Sequence, residues 1–312
     1  MLRVGAFYLH PTRDVVVQLP RVRLGKVNRA GVWFTYPGGK ALNAARTVGL
    51  LGGRVRAVVL APGHWRPMLR EFLGRFGVAF KLVRVRGEGR FCVMLNEDGR
   101  ETVVNTDAAV TLDASVMREL TRAVDSVSHA SDFVVFSGSV PPNLSSGGYR
   151  MLLSLAKSNC PRLVIDASGR RLGQSVKMRP WLIKPNAEEF RHLTHCSLSS
   201  RRSVLGAIDR LHDSGVERVL LSLGARGCLL SSPAGRWFAP AAKPPSGVVS
   251  PVGSGDALLG GFLYAVSGRK SEREALAWGV AAATANLMRP GAVRMTRAEV
   301  HEMLSRTEVR NA

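Results

Sequence analysis

The segment Pro251-Val252-Gly253-Ser254-Gly255-Asp256 decides how this sequence is interpreted, because it runs directly into the apolar helical pattern of residues 257–263. Glycines allow backbone N–H groups to turn toward a ligand, and the first turn of a helix adds unpaired donors. Such a loop is suited to binding phosphate. An aspartate would repel phosphate, so Asp256 indicates a general base that accepts a hydroxyl proton. The alternative for the isolated motif is an ordinary N-capping aspartate.

Length and composition bound the class of protein. With 312 residues, 46% of them hydrophobic, the chain can form one large domain or a main domain with an insert. It has no apolar run of about eighteen residues, so no membrane span is expected. The start, residues 1–8, is too short for a secretory segment and predicts a first strand. The four cysteines are scattered, which is typical of reduced thiols in a cytoplasmic protein.

The formal net charge of +21 favours anionic ligands such as sugar phosphates, nucleotides or nucleic acid. The basic residues are spread along the whole chain, however, with no basic tail and no zinc-finger or RNP-like motif. Nucleic acid is therefore not the predicted partner.

Apolar runs alternate with helical patterns over most of the chain, which predicts an α/β fold with a largely parallel sheet. The candidate core strands are residues 55–60, 133–136, 163–165, 181–183 and 219–221.

Two regions, residues 14–37 and 80–106, contain strands without intervening helices. They predict a small separate sheet suited to act as a lid over a cleft. Its strands would be residues 15–19, 32–36, 80–85, 90–95 and 101–105, the last two joined by a turn at Asp98-Gly99. The core domain would then comprise residues 1–13, 38–79 and 107–312.

A second glycine cluster, Gly38-Gly39-Lys40, opens a predicted helix that ends near Gly52. A lysine at a helix N-terminus opposes the dipole unless an anion is bound there, so Lys40 is a candidate anion ligand; a solvated surface lysine is the alternative. The P-loop pattern and the protein-kinase motifs are absent. Leu258 stands where a dinucleotide-binding motif needs its third glycine.

The two glycine motifs, residues 38–46 and 252–262, resemble the two signatures of the ribokinase/PfkB sugar kinases. Three further segments match in the same order: residues 137–142, 184–189 and 222–227. The first of these, together with residues 10–14, is most similar to the phosphosugar branch. The resemblance implies a ribokinase-like three-layer α/β/α core with a mostly parallel sheet and a small β-sheet lid.

The resemblance also implies roles for individual residues. Asp256 would be the catalytic base, and the N–H groups of Gly253, Ser254 and Gly255 would form an anion hole. Lys40, Arg90 and Ser139 would hold the phosphate of the substrate. The full substrate-binding set would be Asp14, Gly38, Gly39, Lys40, Asn43, Arg90, Asn105, Ser137, Gly138 and Ser139.

For the nucleotide, the resemblance implies ATP with Mg²⁺, the metal being held indirectly through Glu189. The ATP-binding set would be Lys184, Asn186, Ser222, Gly224, Gly227 and Gly291. The chain departs from the branch at His10, where Asn is usual, at Phe91-Cys92 in the lid, and at Ser250-Pro251. These departures leave the acceptor sugar open, together with the question of a monovalent cation.

The leading hypothesis is an ATP-dependent kinase of a ketohexose phosphate, converting fructose 1-phosphate to fructose 1,6-bisphosphate. Tagatose 6-phosphate, fructose 6-phosphate, an unphosphorylated sugar and a nucleoside are alternative acceptors. A sugar-phosphate-binding regulator is the non-enzymatic alternative. An exposed edge and an apolar face of the lid sheet predict a homodimer formed through the lid.

Overall fold

The computed structural model describes residues 1–97, 100–107, 109–245 and 247–312, so the predicted turn at Asp98-Gly99 lies outside the described residues. The strands are β1 (Arg3–Tyr8), β2 (Thr12–Leu19), β3 (Val32–Pro37), β4 (Arg54–Pro62), β5 (Ala79–Glu88), β6 (Arg90–Glu97), β7 (Arg100–Asn105), β8 (Ala109–Thr111), β9 (Phe133–Ser137), β10 (Leu163–Asp166), β11 (Leu182–Ile183), β12 (Val219–Ser222), β13 (Cys228–Ser232), β14 (Gly235–Ala239) and β15 (Arg310–Asn311). The helices are α1 (Lys40–Leu50), α2 (Arg66–Gly74), α3 (Ala114–His129), α4 (Ser146–Asn159), α5 (Gly169–Val176), α6 (Ala187–Thr194), α7 (Arg201–Asp213), α8 (Ser254–Ser267), α9 (Glu272–Asn286) and α10 (Arg297–Ser305).

A large sheet runs through the middle of the protein in the order β15-β14-β13-β12-β11-β10-β9-β1-β4-β5-β8. The stretch from β12 to β5 is parallel throughout. These central strands are apolar along most of their length because helices cover both faces. Alternate side chains of β1 show this, since Ala6 belongs to one buried cluster and Phe7 to the other. The predicted three-layer arrangement with a mostly parallel sheet is confirmed.

A second sheet, with strand order β3-β2-β6-β7, stands apart from the first. β2 and β6 are parallel, whereas the outer pairs are antiparallel. The predicted small sheet is therefore present, and its first strand begins at Thr12, inside the segment predicted to be core. Tyr36 Oη accepts a hydrogen bond from the Ala292 N–H (2.7 Å), and Ser250 Oγ donates one to Glu101 (3.1 Å). These contacts tie the small sheet to the core.

The prediction that residues 80–85 belong to the small sheet is wrong. They form part of β5, which pairs in parallel with β4 in the large sheet. The helix α2 precedes β5 and makes the β4–α2–β5 crossover that a parallel pair requires. The chain then passes to the small sheet at Gly89 without a helix. The absence of a helix after β5 thus marks a change of sheet.

No helix among the described residues is long and apolar enough to span a lipid bilayer.

Candidate active site

Polar side chains gather at the carboxyl ends of the parallel strands, on both sides of β1. β4 and β5 extend the sheet from one side of β1, and β9 to β12 extend it from the other. Such a reversal of strand order opens a crevice in which α/β proteins bind ligands. The side chains at or just beyond these strand ends are His10, Ser137, Asp166, Lys184 and Ser222.

Two helices begin at this edge with glycine N-caps, and neither has a side-chain cap. Gly39 precedes α1 with φ 104°, and Gly253 precedes α8 with φ 78°. Both angles lie in the region that favours glycine. A Cβ on Gly253 would collide with Ala292, and one on Gly39 would collide with the Tyr8 ring. Glycine therefore allows the close packing that brings both helix N-termini to the crevice.

Two of the three N–H groups predicted to form an anion hole have no acceptor in the part of the chain that the structure describes. Within the described residues, the N–H groups of Gly253 and Gly255 have no acceptor, whereas the Ser254 N–H donates to the Pro251 carbonyl (3.2 Å). A Cβ on Gly255 would lie 3.4 Å from the ammonium nitrogen of Lys184. The start of α8 thus presents two donors beside a buried cation.

Asn43 of α1 and Asp256 of α8 meet in the crevice. The Asn43 side-chain amide donates to Asp256 Oδ2 at 2.8 Å, and both residues are buried. Burial raises the pKa of Asp256, and the Asp166 carboxylate raises it further. Lys40, Asn43 and Lys184 act in the opposite direction. The net result is a pKa above the ordinary aspartate value, which suits a proton acceptor.

Asp166 is a second buried carboxylate, which was not among the site residues predicted from the sequence. Lys184 Nζ lies 3.2 Å and Lys40 Nζ 3.5 Å from its Oδ1, while Ser137 Oγ donates to Oδ2 at 2.9 Å. Burial by itself raises the pKa of Asp166, but the two ammonium groups outweigh it and the net pKa is lowered. The only sequence signal was an acid directly after the buried run 163–165.

The Lys40 ammonium points toward acidic side chains. Besides Asp166, it lies 3.6 Å from Glu189 Oε1, and Asp166 raises its pKa above the usual value. From the resemblance in sequence, Lys40 was expected to hold the substrate phosphate together with Arg90 and Ser139. In the structure its Cβ packs near Gly138, but its Nζ faces Asp166 and Glu189, of which only Glu189 was predicted for the nucleotide side.

Asn186 and Glu189 form a capping box at the start of α6. The Asn186 side chain accepts from the Glu189 N–H (2.8 Å), and Glu189 Oε2 accepts from the Asn186 N–H (2.9 Å). An isolated parallel β-bridge between Asn186 and Ser222 connects this turn to the end of β12. These contacts hold the turn between Lys184 and Glu189, and Glu189 Oε1 remains directed toward Lys40.

Asp14 lies on β2 at the junction of the two sheets. Burial raises its pKa to about 7, although Arg46 and Arg90 oppose this effect. A Cβ on Gly38 would collide with the Asp14 carboxylate, so the glycine lets the backbone of the first motif contact this acid directly.

A polar cluster joins the start of β6 to the residues that follow β1 and β9. His10 Nδ1 and Ser139 Oγ are hydrogen-bonded at 2.7 Å, and Arg90 Nε donates to Thr12 Oγ1 at 2.9 Å. Burial lowers the pKa of His10 to about 4, and the Arg90 charge adds to this effect. His10 is therefore a neutral hydrogen-bonding group beside Arg90 and Ser139.

The other predicted site residues lie around the same edge or on the small sheet. Asn105 is exposed at the end of β7, opposite Cys92. Gly291 has φ 78° and lies against Tyr36 of the small sheet. Gly224 and Gly227 flank a turn after β12, with φ 61° and 114°.

A magnesium ion would find few protein ligands here. No group of three or more His, Cys, Asp or Glu side chains suited to a metal occurs among the described residues. Asp166 is nevertheless a buried carboxylate whose Oδ1 is contacted by the ammonium groups of Lys184 and Lys40, and Glu189 lies on the other side of Lys40. One or two carboxylates plus substrate phosphates is the donor set that Mg²⁺ commonly uses. The site therefore fits a magnesium ion that is held largely by its nucleotide.

A parallel α/β sheet with two glycine-started helices converging on a buried aspartate is the architecture of a small-molecule kinase. The model of the pfkB family carbohydrate kinases matches residues 13–298. The chain belongs to this family and is a carbohydrate kinase.

Relatives and solved structures agree with this assignment. The chain is 30% identical to the 1-phosphofructokinase of Escherichia coli (strain K12) over 311 residues, covering 98% of both chains. It is 28% identical to that of Bacillus subtilis (strain 168), covering 89% of this chain and 90% of the relative. The resemblance to the phosphosugar branch is confirmed.

Among solved structures, phosphofructokinase-2 from Escherichia coli in complex with substrates and products has a TM-score of 0.89 at 24% identity, covering 98% of this chain and 99% of that one. The ribokinase of Arabidopsis thaliana complexed with ribose and ATP has a TM-score of 0.76 at 19% identity, covering 97% and 98%. These likenesses confirm the ribokinase-like fold.

Proposed function

We propose that this kinase transfers the γ-phosphoryl group of ATP to a hydroxyl of a phosphorylated ketohexose, and that the acceptor is fructose 1-phosphate, giving fructose 1,6-bisphosphate. The observation that carries the proposal is the buried Asp256, held by Asn43 at the N-terminus of α8. Full-length similarity to 1-phosphofructokinases at 30% identity supports the choice of acceptor.

Asp256 acts as the general base. As the sugar oxygen forms its bond to the γ-phosphorus, the bond to the bridging oxygen breaks, and ADP leaves. The proton of the hydroxyl passes to the Asp256 carboxylate. A raised pKa makes that carboxylate a better proton acceptor than an exposed aspartate would be.

Cationic groups and backbone donors stabilise the charge on the transferred phosphoryl. Lys184 lies beside Gly255, and Lys40 lies between Asp166 and Glu189. With the free N–H groups of Gly253 and Gly255, they form a preorganised site for negative charge. Asp166 and Glu189 would hold Mg²⁺ together with the nucleotide, and the ion would neutralise phosphate charge.

Asp14 binds sugar hydroxyls at the other end of the crevice, next to Gly38. The substrate's own phosphate is bound by the cluster of Arg90, Ser139 and His10, where charge-assisted hydrogen bonds favour a dianion. The small sheet that carries Asp14 and Arg90 closes over the bound sugar and excludes water.

A coupled ADP-release assay tests the function. The purified protein receives MgATP with fructose 1-phosphate, fructose 6-phosphate, tagatose 6-phosphate, free fructose, ribose and a nucleoside in parallel. We expect the highest kcat/KM with fructose 1-phosphate. Potassium is compared with tetramethylammonium, because one solved neighbour is a potassium complex of phosphofructokinase-2. A higher kcat/KM with another acceptor would replace the proposed substrate, and inactivity toward all of them would contradict the function.

We also propose that a second copy of this chain covers the small sheet. One face of this sheet carries the exposed side chains of Trp33 (65%) and Val104 (51%), and its outer strands also expose Val32 (52%) and Val103 (43%) on the opposite face. β3 and β7 are edge strands of this sheet and can pair with another strand. A symmetric dimer through this sheet would bury both features.

A further inference from the structure

Arg46 is a buried arginine that the proposed mechanism does not yet use. It lies on α1, one turn after Asn43, and only 1% of it is exposed. Its guanidinium carbon lies 4.4 Å from the ring centre of Phe72, 4.7 Å from that of Phe76 and 5.3 Å from that of Tyr36. A charge is costly to bury unless it is paired and hydrogen-bonded, so this position calls for a specific role.

The hydrogen bonds of Arg46 determine how the Asn43 side chain is oriented. Nη1 donates to Asn43 Oδ1 at 3.1 Å. A guanidinium can only donate, so Asn43 must present its oxygen to Arg46 and its nitrogen to the opposite side. On that side the Asn43 nitrogen donates to Asp256 Oδ2. The orientation that supports an ionised Asp256 is therefore imposed by Arg46.

The same guanidinium holds the turn that packs against α8. Nη2 donates to the carbonyls of Ala292 (3.0 Å) and Val293 (2.8 Å). Val293 is β-branched and has φ 52°, a backbone conformation that such residues rarely adopt without support. Because Ala292 packs directly against Gly253, the turn that Arg46 holds also fixes the start of α8.

We propose that Arg46 is a positioning residue for phosphoryl transfer. It fixes the Asn43 amide so that the Asp256 carboxylate stays ionised, with Oδ2 occupied and Oδ1 available to the acceptor hydroxyl, and it holds the 292–293 turn against Gly253. This inference rests on the proposed role of Asp256 as base. The charged groups that face Asp256 from the surrounding elements are Lys40, Lys184, Asp166, Asp14 and Arg46 itself.

The test compares Arg46→Met, which keeps the length and apolar stem of the side chain, with Arg46→Lys. For Arg46→Met we expect kcat to fall by up to about 100-fold, the loss that a small misplacement of reacting groups can cause, with little change in either KM. The acid limb of the kcat–pH profile should move to higher pH, because Asp256 loses both an oriented donor and a nearby positive charge. Arg46→Lys retains the positive charge but not the planar guanidinium with its paired donors. Its fall in kcat and its shift of the acid limb should therefore both be smaller than those of Arg46→Met.

Asn43→Ala should shift the acid limb of the kcat–pH profile in the same direction. Arg46→Met should lower kcat much less when it is added to Asn43→Ala than when it is made in the wild-type protein. Arg218→Met is the matched control, since Arg218 also stacks on a ring, that of Trp181 (4.4 Å), but precedes β12 at the opposite edge of the sheet. It should lower the melting temperature without moving the pH profile.

An unshifted acid limb in Arg46→Met, or fully additive losses in the double variant, would overturn the inference. If Arg46→Met does not fold, the pH profiles of Arg46→Lys and Asn43→Ala decide the question in the same way. Failure of the proposed function gives a different result: wild-type protein inactive toward every acceptor, or Asp256→Asn with undiminished turnover.

Discussion

The Lys40 ammonium lies 3.5 Å from the Asp166 carboxylate, so the first glycine motif and the end of β10 share an ion pair inside the crevice. Both members of the pair act on Asp256, the proposed base, because Asp166 raises the pKa of Asp256 while Lys40 lowers it. We therefore propose two functions for Lys40, one toward the nucleotide phosphates and one in setting the pKa of Asp256.

Lys40→Met is expected to raise the KM for MgATP by about tenfold or more, since hydrogen bonds to charged groups are worth about 1.5–3 kcal/mol. The KM for fructose 1-phosphate should change less, because the ammonium faces Asp166 and Glu189. Steady-state kinetics with each substrate varied in turn measure both values, with the exposed Lys81→Met as control. A rise confined to the KM for the sugar phosphate would instead place the ammonium at the substrate phosphate.

Asp256→Asn should reduce kcat by about 100- to 10,000-fold, the usual contribution of a general base. The substitution keeps the size of the side chain and an oxygen that can accept from Asn43, so ATP should bind with unchanged affinity. ADP release and isothermal titration calorimetry provide the two measurements. The exposed Asp213→Asn on α7 is the control, and near-normal turnover in Asp256→Asn would exclude this carboxylate as the base.

The wild-type enzyme should lose activity on acidification at a pH above the usual titration range of aspartate. Burial raises the pKa of Asp256, so its carboxylate takes up a proton at higher pH than an exposed one and stops accepting the substrate proton. The dependence of kcat on pH measures this. An acid limb at the ordinary aspartate value would show that the base is a more exposed group.

Asp14→Asn should stabilise the protein at pH 8 while impairing sugar binding. The native pKa of about 7 lies above the unfolded value, so the folded state binds the proton more tightly, and wild-type stability falls as pH rises from about 4 to about 7. That separation corresponds to at most about 4 kcal/mol. The neutral amide of the Asp14→Asn variant does not ionise, so the variant does not lose this stability as the pH rises.

Thermal denaturation of Asp14→Asn and wild type at pH 4 and pH 8 tests this linkage. The melting temperature of the variant relative to wild type should be higher at pH 8 than at pH 4, and the KM for the sugar phosphate should rise. Equal differences at both pH values would mean that folding does not raise the pKa of Asp14.

Trp33→Glu should convert a dimer into monomers, because it places a charge on the edge strand β3, on the face of the small sheet that also exposes Val104. Size-exclusion chromatography with light scattering measures the mass. Met151→Glu, at a side chain of α4 that is 45% exposed, is the control and should leave the mass unchanged. A wild-type monomer, or a Trp33→Glu dimer, would rule out assembly through this sheet.

The central strands and the two glycine-started helices could be predicted from local patterns. A buried parallel strand needs an apolar run, and a helix that approaches a ligand needs glycine where a Cβ would collide, as at Gly253. Such requirements act on neighbouring residues, so they appear directly in the sequence. The assignment of residues 80–85 failed because a strand carries no local mark of the sheet it joins.

The sequence alone determined the fold class and the kinase family, and it is also the source of the proposal that Asp256 is the base, since each depends on contiguous motifs. Only the tertiary structure showed that Asn43 contacts Asp256, which lies 213 positions later in the sequence, and that Asp166 forms ion pairs with two lysines. It also showed that Arg46 is buried and donates to Asn43. Burial and charge pairing arise when distant segments pack together and exclude water. Those two effects set the pKa values in the crevice.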